Sequence, residues 1–101
     1  MAKGYWIAHV KAADASAFQS DQYQAYVAGA GPAFKEFGGK FLARGGSFVI
    51  AEGEDLGSRH VVIEFDSLET AKACYNSATY QDAKKHRTAV SQGTITLMEG
   101  V

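Results

Sequence analysis

The chain has 101 residues, which suits a single domain over residues 1–101. Lys and Arg together number 10 and Asp and Glu 11, so the net charge of −1 gives no electrostatic basis for binding nucleic acid. The one cysteine excludes an internal disulfide, and no apolar run is long enough to span a membrane, so we expect a cytoplasmic protein with no membrane partner.

The first predicted element is a strand over residues 4–11 that is apolar on both faces yet carries the ionisable His9. One face carries Tyr5, Ile7 and His9, and the other carries Trp6, Ala8 and Val10. A strand that is apolar on both faces has to be covered on both. Because the chain has helices enough for one face only, we expect a homodimer in which a second copy covers the open sheet face.

The next segment, residues 18–37, predicts a helix with Asp14 or Ser16 near its start as the capping residue. Its continuous apolar stripe comprises Tyr23, Tyr26, Val27, Ala30, Phe34 and Phe37. Pro32 cannot donate to the carbonyl of Ala28, which predicts a kink or break. The glycines at 38–39 are typical of a helix end in left-handed conformation.

A short strand follows over residues 40–44, and a second extended run covers residues 48–52. Gly45-Gly46 between them is either a two-residue hairpin turn or a bulge within one long strand. We favour the bulge, because it makes the final strand antiparallel to the first. The result is a βαββαβ order with an antiparallel sheet.

The second half begins with a polar turn at residues 54–58 and a strand over residues 59–65, whose centre is apolar on both faces. Two helices and a last strand complete the pattern. Asp66 and Ser67 are predicted to cap the first helix. The second helix is predicted to run from its cap at Ser77 to about Val90, with Gly93 closing it. The last strand is predicted over Thr94–Glu99, with Ile95 and Leu97 toward the helices.

Three ionisable residues are candidates for catalysis: His9, Glu64 and Arg44. In this hypothesis His9 acts as a general base, Glu64 orients it from the neighbouring strand, and Arg44 holds an anionic oxygen with its planar fork. The alternative is structural: His9 and Glu64 satisfy each other in a dimer interface, and Arg44 pairs with a carboxylate. The sequence leaves both open.

Trp6, Tyr26 and His60 are candidates for lining a ligand pocket, although Trp6 and Tyr26 also fit a plain core role. We predict no metal, because the three histidines show no ligand spacing and His60 lies about 13 Å along the strand from Glu64. We also predict no cofactor, since the glycine pairs match no phosphate-binding or dinucleotide-binding motif. Cys74 is interpreted as a small buried hydrophobe.

Several segments taken together resemble a bacterial family of unknown function within the dimeric α+β barrel superfamily. They are residues 4–10, 38–46 and 61–67, Cys74-Tyr75, Tyr80 and the closing Glu99-Gly100. The resemblance implies a ferredoxin-like protomer of the α+β class, with helices on one face of the sheet, and a homodimer. The wider superfamily includes cofactor-independent monooxygenases, haem-handling enzymes, lactone isomerases and regulatory ligand-binding domains, so the fold does not select a reaction.

Two hypotheses of function follow. The first is a homodimer that binds a small anionic or oxygenated molecule. The alternative is a cofactor-independent enzyme, of monooxygenase or isomerase type, that uses His9, Glu64 and Arg44.

Overall fold

The computed structural model of the chain describes residues 2–12, 15–55 and 57–101. In chain order its elements are β1 (Gly4–Ala12), a short 3-10 helix (Ala15–Gln19), α1 (Asp21–Glu36), β2 (Lys40–Arg44), β3 (Arg59–Phe65), α2 (Leu68–Asn76), α3 (Ala78–Thr88) and β4 (Ser91–Glu99). The predicted βαββαβ order is confirmed, with two consecutive helices in the second crossover.

The four strands form one antiparallel sheet in the order β2-β3-β1-β4. The long pairing of β4 with β1 runs from Gly4 opposite Glu99 to Ala12 opposite Ser91, so the last strand is antiparallel to the first, as predicted. The helices pack on one face of this sheet, which makes the protein an α+β fold of ferredoxin-like type.

The core lies between the helices and one face of β1. Trp6, Ala8 and Val10 are at most 4% exposed, whereas the side chains between them on the strand are half-buried. Trp6 is at the centre, with edge-on contacts to Phe34 (5.0 Å between ring centroids) and Tyr80 (4.8 Å). The alternation predicted from the sequence is therefore correct: even-numbered side chains of β1 face the helices.

The start of α1 differs from the prediction. The N-cap is Ser20, whose hydroxyl accepts a hydrogen bond from the backbone N–H of Tyr23 at 3.2 Å. Ser16 lies instead in the 3-10 helix, and Asp14 lies outside the described residues. A separate 3-10 turn occupies residues 15–19, and α1 begins only after it.

Helix α1 also continues through Pro32 to Glu36, so the predicted break does not occur. Pro32 and Ala28 are both exposed, which lets water satisfy the carbonyl that the proline leaves without a donor. Gly38 has φ of +74°, which confirms the left-handed residue expected after the helix.

The caps predicted for the other helices are correct at Ser67 and Ser77, whose hydroxyls accept from the N–H groups of Thr70 and Tyr80. The predicted end of α3 is wrong: the helix ends at Thr88, and Gly93 lies within β4, opposite Val10. A Cβ at position 93 would come within 2.6 Å of a guanidinium nitrogen of Arg87. Gly93 thus makes room for a buried side chain.

The connection from β2 to β3 fits neither alternative for Gly45-Gly46. Its described residues, 45–55 and 57–58, form no helix or strand, so residues 48–52 neither pair with β2 nor extend it. The sheet does contain an irregularity, but earlier, between Phe41 and Ala43, where Leu42 is an extra residue in the pairing with β3.

Candidate functional site

A cavity of about 110 Å³ lies between α1 and the helix-facing side of β1, β2 and β3. Its walls are mostly apolar and include the rings of Trp6, Phe34 and Phe41. Its polar groups come from Tyr23, Tyr26, Arg44 and Arg59, and none of the described residues that line it is acidic. An apolar cavity with a few convergent polar groups is the usual form of a small-molecule site.

The arginines are unusually distributed. The chain has three, and all of them lie around the same tyrosines. Arg44 and Arg59 line the cavity, and the guanidinium of Arg87 lies 5.3 Å from the ring centroid of Tyr26 on the side of α3. The ion pairs found among the described residues all involve lysine, so these three cations have no carboxylate partner there.

Arg87 is the most deeply placed of the three. It is 3% exposed, and its Nε has no hydrogen-bond partner among the described residues. A cation buried without a carboxylate is costly, so a positive potential is built into this side of the protein. In the sequence, the basic run Lys84-Lys85-His86-Arg87 is interpreted as a solvated helix face, and the burial of Arg87 corrects that interpretation.

The tyrosines next to these arginines are neutral hydrogen-bonding groups. The hydroxyls of Tyr26 and Tyr80 lie 3.2 Å apart. Burial raises the pKa of Tyr26 strongly, and the adjacent Tyr80 adds to the rise. Burial also raises the pKa of Tyr23, against the opposing charges of Arg59 and Arg87. These phenols stay protonated at neutral pH. One of the Tyr26 and Tyr80 hydroxyls donates to the other, so Tyr23 and the accepting member of that pair are the donors left for a ligand oxygen.

The other face of the sheet carries a histidine pair. His9 and His60 are opposite each other on β1 and β3, and their Nδ1 atoms are 2.7 Å apart. At that distance one nitrogen donates and the other accepts, so one proton lies between the two rings. The ring of Phe48 packs against His60 at 4.2 Å, and the Nε2 of His60 is buried without a partner in the described structure.

The predicted contact between His9 and Glu64 is not formed. Glu64 is opposite Tyr5, whose hydroxyl donates to it at 3.1 Å, and this hydrogen bond raises the pKa of Tyr5. His60 and Glu64 are four residues apart on β3, which is about 13 Å along the strand. His9 is therefore beside a second imidazole and remote from the carboxylate expected to orient it.

Arg44 is on the opposite side of the sheet from His9 and Glu64. Strict alternation from Lys40, which is opposite Glu64, would put Arg44 on the open face as well. The extra residue at Leu42 reverses the alternation, so Arg44 is opposite Val61 and lines the cavity. The structure thus separates the three candidate catalytic residues between two faces. It brings Arg44 together with Trp6 and Tyr26, and His9 with His60.

Three residues of this site, Tyr23, Arg59 and Arg87, are not among the site residues predicted from the sequence. A signal for Arg59 was present, because it shares the period-2 face of β3 with Val61, Ile63 and Phe65, all of which turn toward the helices. Tyr23 was placed in the apolar stripe of α1 but not related to a charge. Nothing local in the sequence distinguishes Arg87 from its exposed basic neighbours.

Neither Cys74 nor a metal site adds a further candidate site within the described residues. Burial raises the pKa of the Cys74 thiol to about 11, with the charge of Glu36 contributing, so it is not a ready nucleophile. Within residues 2–12, 15–55 and 57–101, no group of three or more His, Cys, Asp or Glu side chains is placed to hold a metal ion. No helix in these ranges has the length and apolarity needed to cross a bilayer.

Comparison with solved structures shows the same fold at low identity. A protein of unknown function from Rhodopseudomonas palustris, RPA0582, aligns over 99% of this chain and 83% of its own, at 20% identity and a TM-score of 0.73. A Bacteroides thetaiotaomicron protein described as a possible oxidoreductase aligns over 97% of both chains, at 13% identity and a TM-score of 0.61.

SnoaB, a cofactor-independent oxygenase from Streptomyces nogalater, aligns over 97% of this chain and 92% of its own, at 12% identity and a TM-score of 0.61. None of the curated proteins matches this sequence. The family model for a domain of unknown function, DUF1330, matches residues 3–101. The match spans nearly the whole chain, and the protein therefore belongs to the DUF1330 family.

Proposed function

We propose that this protein is a homodimer that binds a small anionic or oxygenated molecule in the cavity beneath α1. The observation that carries the proposal is the composition of that cavity, where Arg44 and Arg59 enter an otherwise apolar space with no acidic residue among the described lining. Cations that protein carboxylates leave unpaired are suited to an anionic ligand. The tyrosine hydroxyls supply further donors for an oxygen atom.

The homodimer is supported by what the open face of the sheet exposes in the single chain. Phe48 is 46% exposed, Val49 84% and Ile50 39%, and all three border the groove beside His9 and His60. Leu42 and Met98, at 50% and 51%, lie on the edge strands of the same sheet. Apolar exposure on this scale is typical of a protein–protein interface.

The ligand site is tested by a thermal-shift screen of small carboxylates, enols and neutral analogues, run on the wild type and on Arg44→Ala. We expect anionic compounds to raise the melting temperature of the wild type and to raise that of Arg44→Ala less. Lys40→Ala is the matched control, since it removes a cation from the same strand on the opposite face. A screen in which no compound class shifts the melting temperature would refute the site.

The homodimer is tested separately by sedimentation velocity at micromolar concentrations. We expect a species of twice the mass of the 10.8 kDa chain. A single monomeric species over that range would exclude the homodimer, whatever the outcome of the ligand screen.

A cofactor-independent enzyme is the second candidate. The shared fold with SnoaB is compatible with it, and in a neutral His9–His60 pair the ring that donates through Nδ1 keeps an unprotonated Nε2 that can accept a proton. His9 and Glu64 do not touch in the protomer, and Arg44 lies across the sheet from both, so the three cannot act on one small ligand within one chain. Turnover that is lost in His9→Ala while the fold is retained would establish this alternative.

A further inference from the structure

We infer that the cavity selects a carboxylate on a single aromatic ring, and that Arg59 is the residue that holds the carboxylate. The inference rests on the proposed ligand site and specifies the chemical class of its ligand. Three observations carry it: the size and walls of the cavity, the gathering of all three arginines, and the difference in position between Arg59 and Arg44.

The cavity has the size of one ring. Its volume is about 110 Å³, and an engineered protein cavity of about 150 Å³ takes up benzene. Its walls present the rings of Trp6, Phe34 and Phe41, with Tyr23 and Tyr26 from α1. Aromatic rings pack edge-on or offset against one another, so these walls favour a planar ring over a branched aliphatic group of equal volume.

The charge around the cavity calls for a negative ligand. Arg59 and Arg44 reach it directly, and Arg87 lies behind Tyr26 with its Nε unpartnered among the described residues. Tyr23 is close enough to both Arg59 and Arg87 for each charge to act on its hydroxyl. A neutral aromatic ring would leave these cations uncompensated, whereas a carboxylate would balance them in a site partly closed to water.

Arg59 is better placed than Arg44 to bind the carboxylate. Arg44 is exposed on the edge strand β2, and its guanidinium lies 4.5 Å from the ring centroid of Phe41. Arg59 is half-buried on the interior strand β3. Its guanidinium packs against the backbone of Gly45, where a Cβ would come within 2.5 Å of Nη1. The backbone of Gly45 and the side chain of Tyr23 thus hold the Arg59 guanidinium in one orientation, which suits bidentate binding of a carboxylate.

The test uses benzoate as the probe and isothermal titration calorimetry as the measurement. Benzamide keeps the ring without the charge, acetate keeps the charge without the ring, and 2-naphthoate adds a second ring. We expect benzoate to bind at least about tenfold more tightly than each of the three. Equal binding of benzamide would overturn the inferred charge, and equal binding of acetate or 2-naphthoate would overturn the inferred ring, while each leaves the ligand site standing.

The anchor is tested with matched arginine variants. We expect Arg59→Gln to weaken benzoate binding about 30-fold or more, from the usual loss when a charged hydrogen-bonded pair is broken, and Arg44→Gln to weaken it less than about fivefold. Lys40→Gln, on the open face, should have no effect. Arg59→Lys, which keeps the charge but not the fork, covers the case in which Arg59→Gln unfolds, and should lose about tenfold.

A larger loss in Arg44→Gln than in either Arg59 variant would overturn the assignment of Arg59. Failure of benzoate alone, with other anions binding in the wider screen, would overturn the ligand class but not the proposed function. Failure of every compound in both assays would refute the proposed function itself. The two levels of inference are therefore separated by the outcome.

Discussion

The two faces of one sheet differ in chemistry although the same strands supply both. On the helix side, β1 contributes Trp6, Ala8 and Val10 to a closed aromatic core, and the three arginines gather around its cavity. On the open side, the strands contribute two polar cross-strand pairs, His9–His60 and Tyr5–Glu64. The acidic residues Glu52 and Glu54 border this second face.

The difference indicates what each face is suited to contact. The helix side is packed by the chain's own helices, so its unpaired cations are suited to a ligand small enough to enter the cavity. The open side is half-buried and apolar between its polar pairs, so it has the features of a surface completed by another protein chain. Substitutions on each face test this division of roles.

The sharpest test of the division substitutes neighbouring residues on β1. Trp6→Ala should cost about 3–5 kcal/mol of unfolding free energy, because it empties the centre of the helix-side core. Ile7→Ala, one residue on, faces the open side and should cost the single chain only about 1 kcal/mol. Urea unfolding measures both.

The same pair of variants also tests self-association. Ile7→Ala should raise the protein concentration at which the dimer forms, whereas Trp6→Phe, a milder change on the covered side, should not. Sedimentation velocity of these two variants decides the point. Equal effects of both variants on association would contradict the assignment of the two faces.

Alkaline pH should destabilise the helix side specifically. Burial raises the pKa values of Tyr23, Tyr26 and Tyr80 in the folded protein, so the unfolded chain ionises first as the pH rises. The stabilisation is therefore complete below about pH 10 and is lost above it, by up to about 1.4 kcal/mol per pH unit for each tyrosine that ionises only on unfolding. Urea midpoints between pH 8 and about pH 11.5 give the slope.

Tyr26→Phe should reduce that alkaline slope, because it removes the most strongly shifted hydroxyl. Tyr5→Phe is the matched change on the open face, where the hydrogen bond to Glu64 and not the core governs the tyrosine. It should leave most of the slope in place. A larger change of the slope in Tyr5→Phe than in Tyr26→Phe would contradict the assignment of the alkaline sensitivity to the helix side.

The close packing of α1 against α3 depends on one glycine in α1. A Cβ at Gly29 would lie 2.9 Å from the Cβ of Ala83, so Gly29 lets α1 and α3 approach closely. We expect Gly29→Ala to cost about 1–2 kcal/mol, after the gain in helix propensity is taken into account. Gly31→Ala is the control, because a Cβ there meets nothing within 4 Å, and its propensity gain is offset by the following Pro32. Thermal unfolding of the two variants compares them directly.

Much of this architecture is readable from the sequence because it depends on local rules. The alternation of Trp6 and Ile7 follows from the period of a strand, and the caps at Ser67 and Ser77 follow from their hydroxyls and the helices after them. The antiparallel direction of β4 relative to β1 follows from the βαββαβ order of the elements. None of these features depends on the register between neighbouring strands.

The candidate site was less predictable because it depends on register. His9 pairs with His60 and not Glu64 because of the alignment of β1 with β3, which no local pattern specifies. Arg44 reaches the cavity because of the single extra residue at Leu42. The bulge at Leu42 places Arg44 on the helix side of the sheet. The sequence suggested a bulge at Gly45-Gly46, three residues further along the chain, and therefore did not predict this position of Arg44.

The smallest expected effect concerns the hydrogen bond between the two histidines on the open face. His9→Gln removes the bond between the Nδ1 atoms of His9 and His60, which are 2.7 Å apart, and should cost about 1 kcal/mol of unfolding free energy because a half-buried ring nitrogen of His60 loses its partner. His86→Gln is the control, because His86 is exposed and bonded to Gln22 on the helix side, and it should cost less than about 0.5 kcal/mol. Urea midpoints of the two variants compare them directly, and equal losses in both would show that the His9–His60 bond does not stabilise the open face.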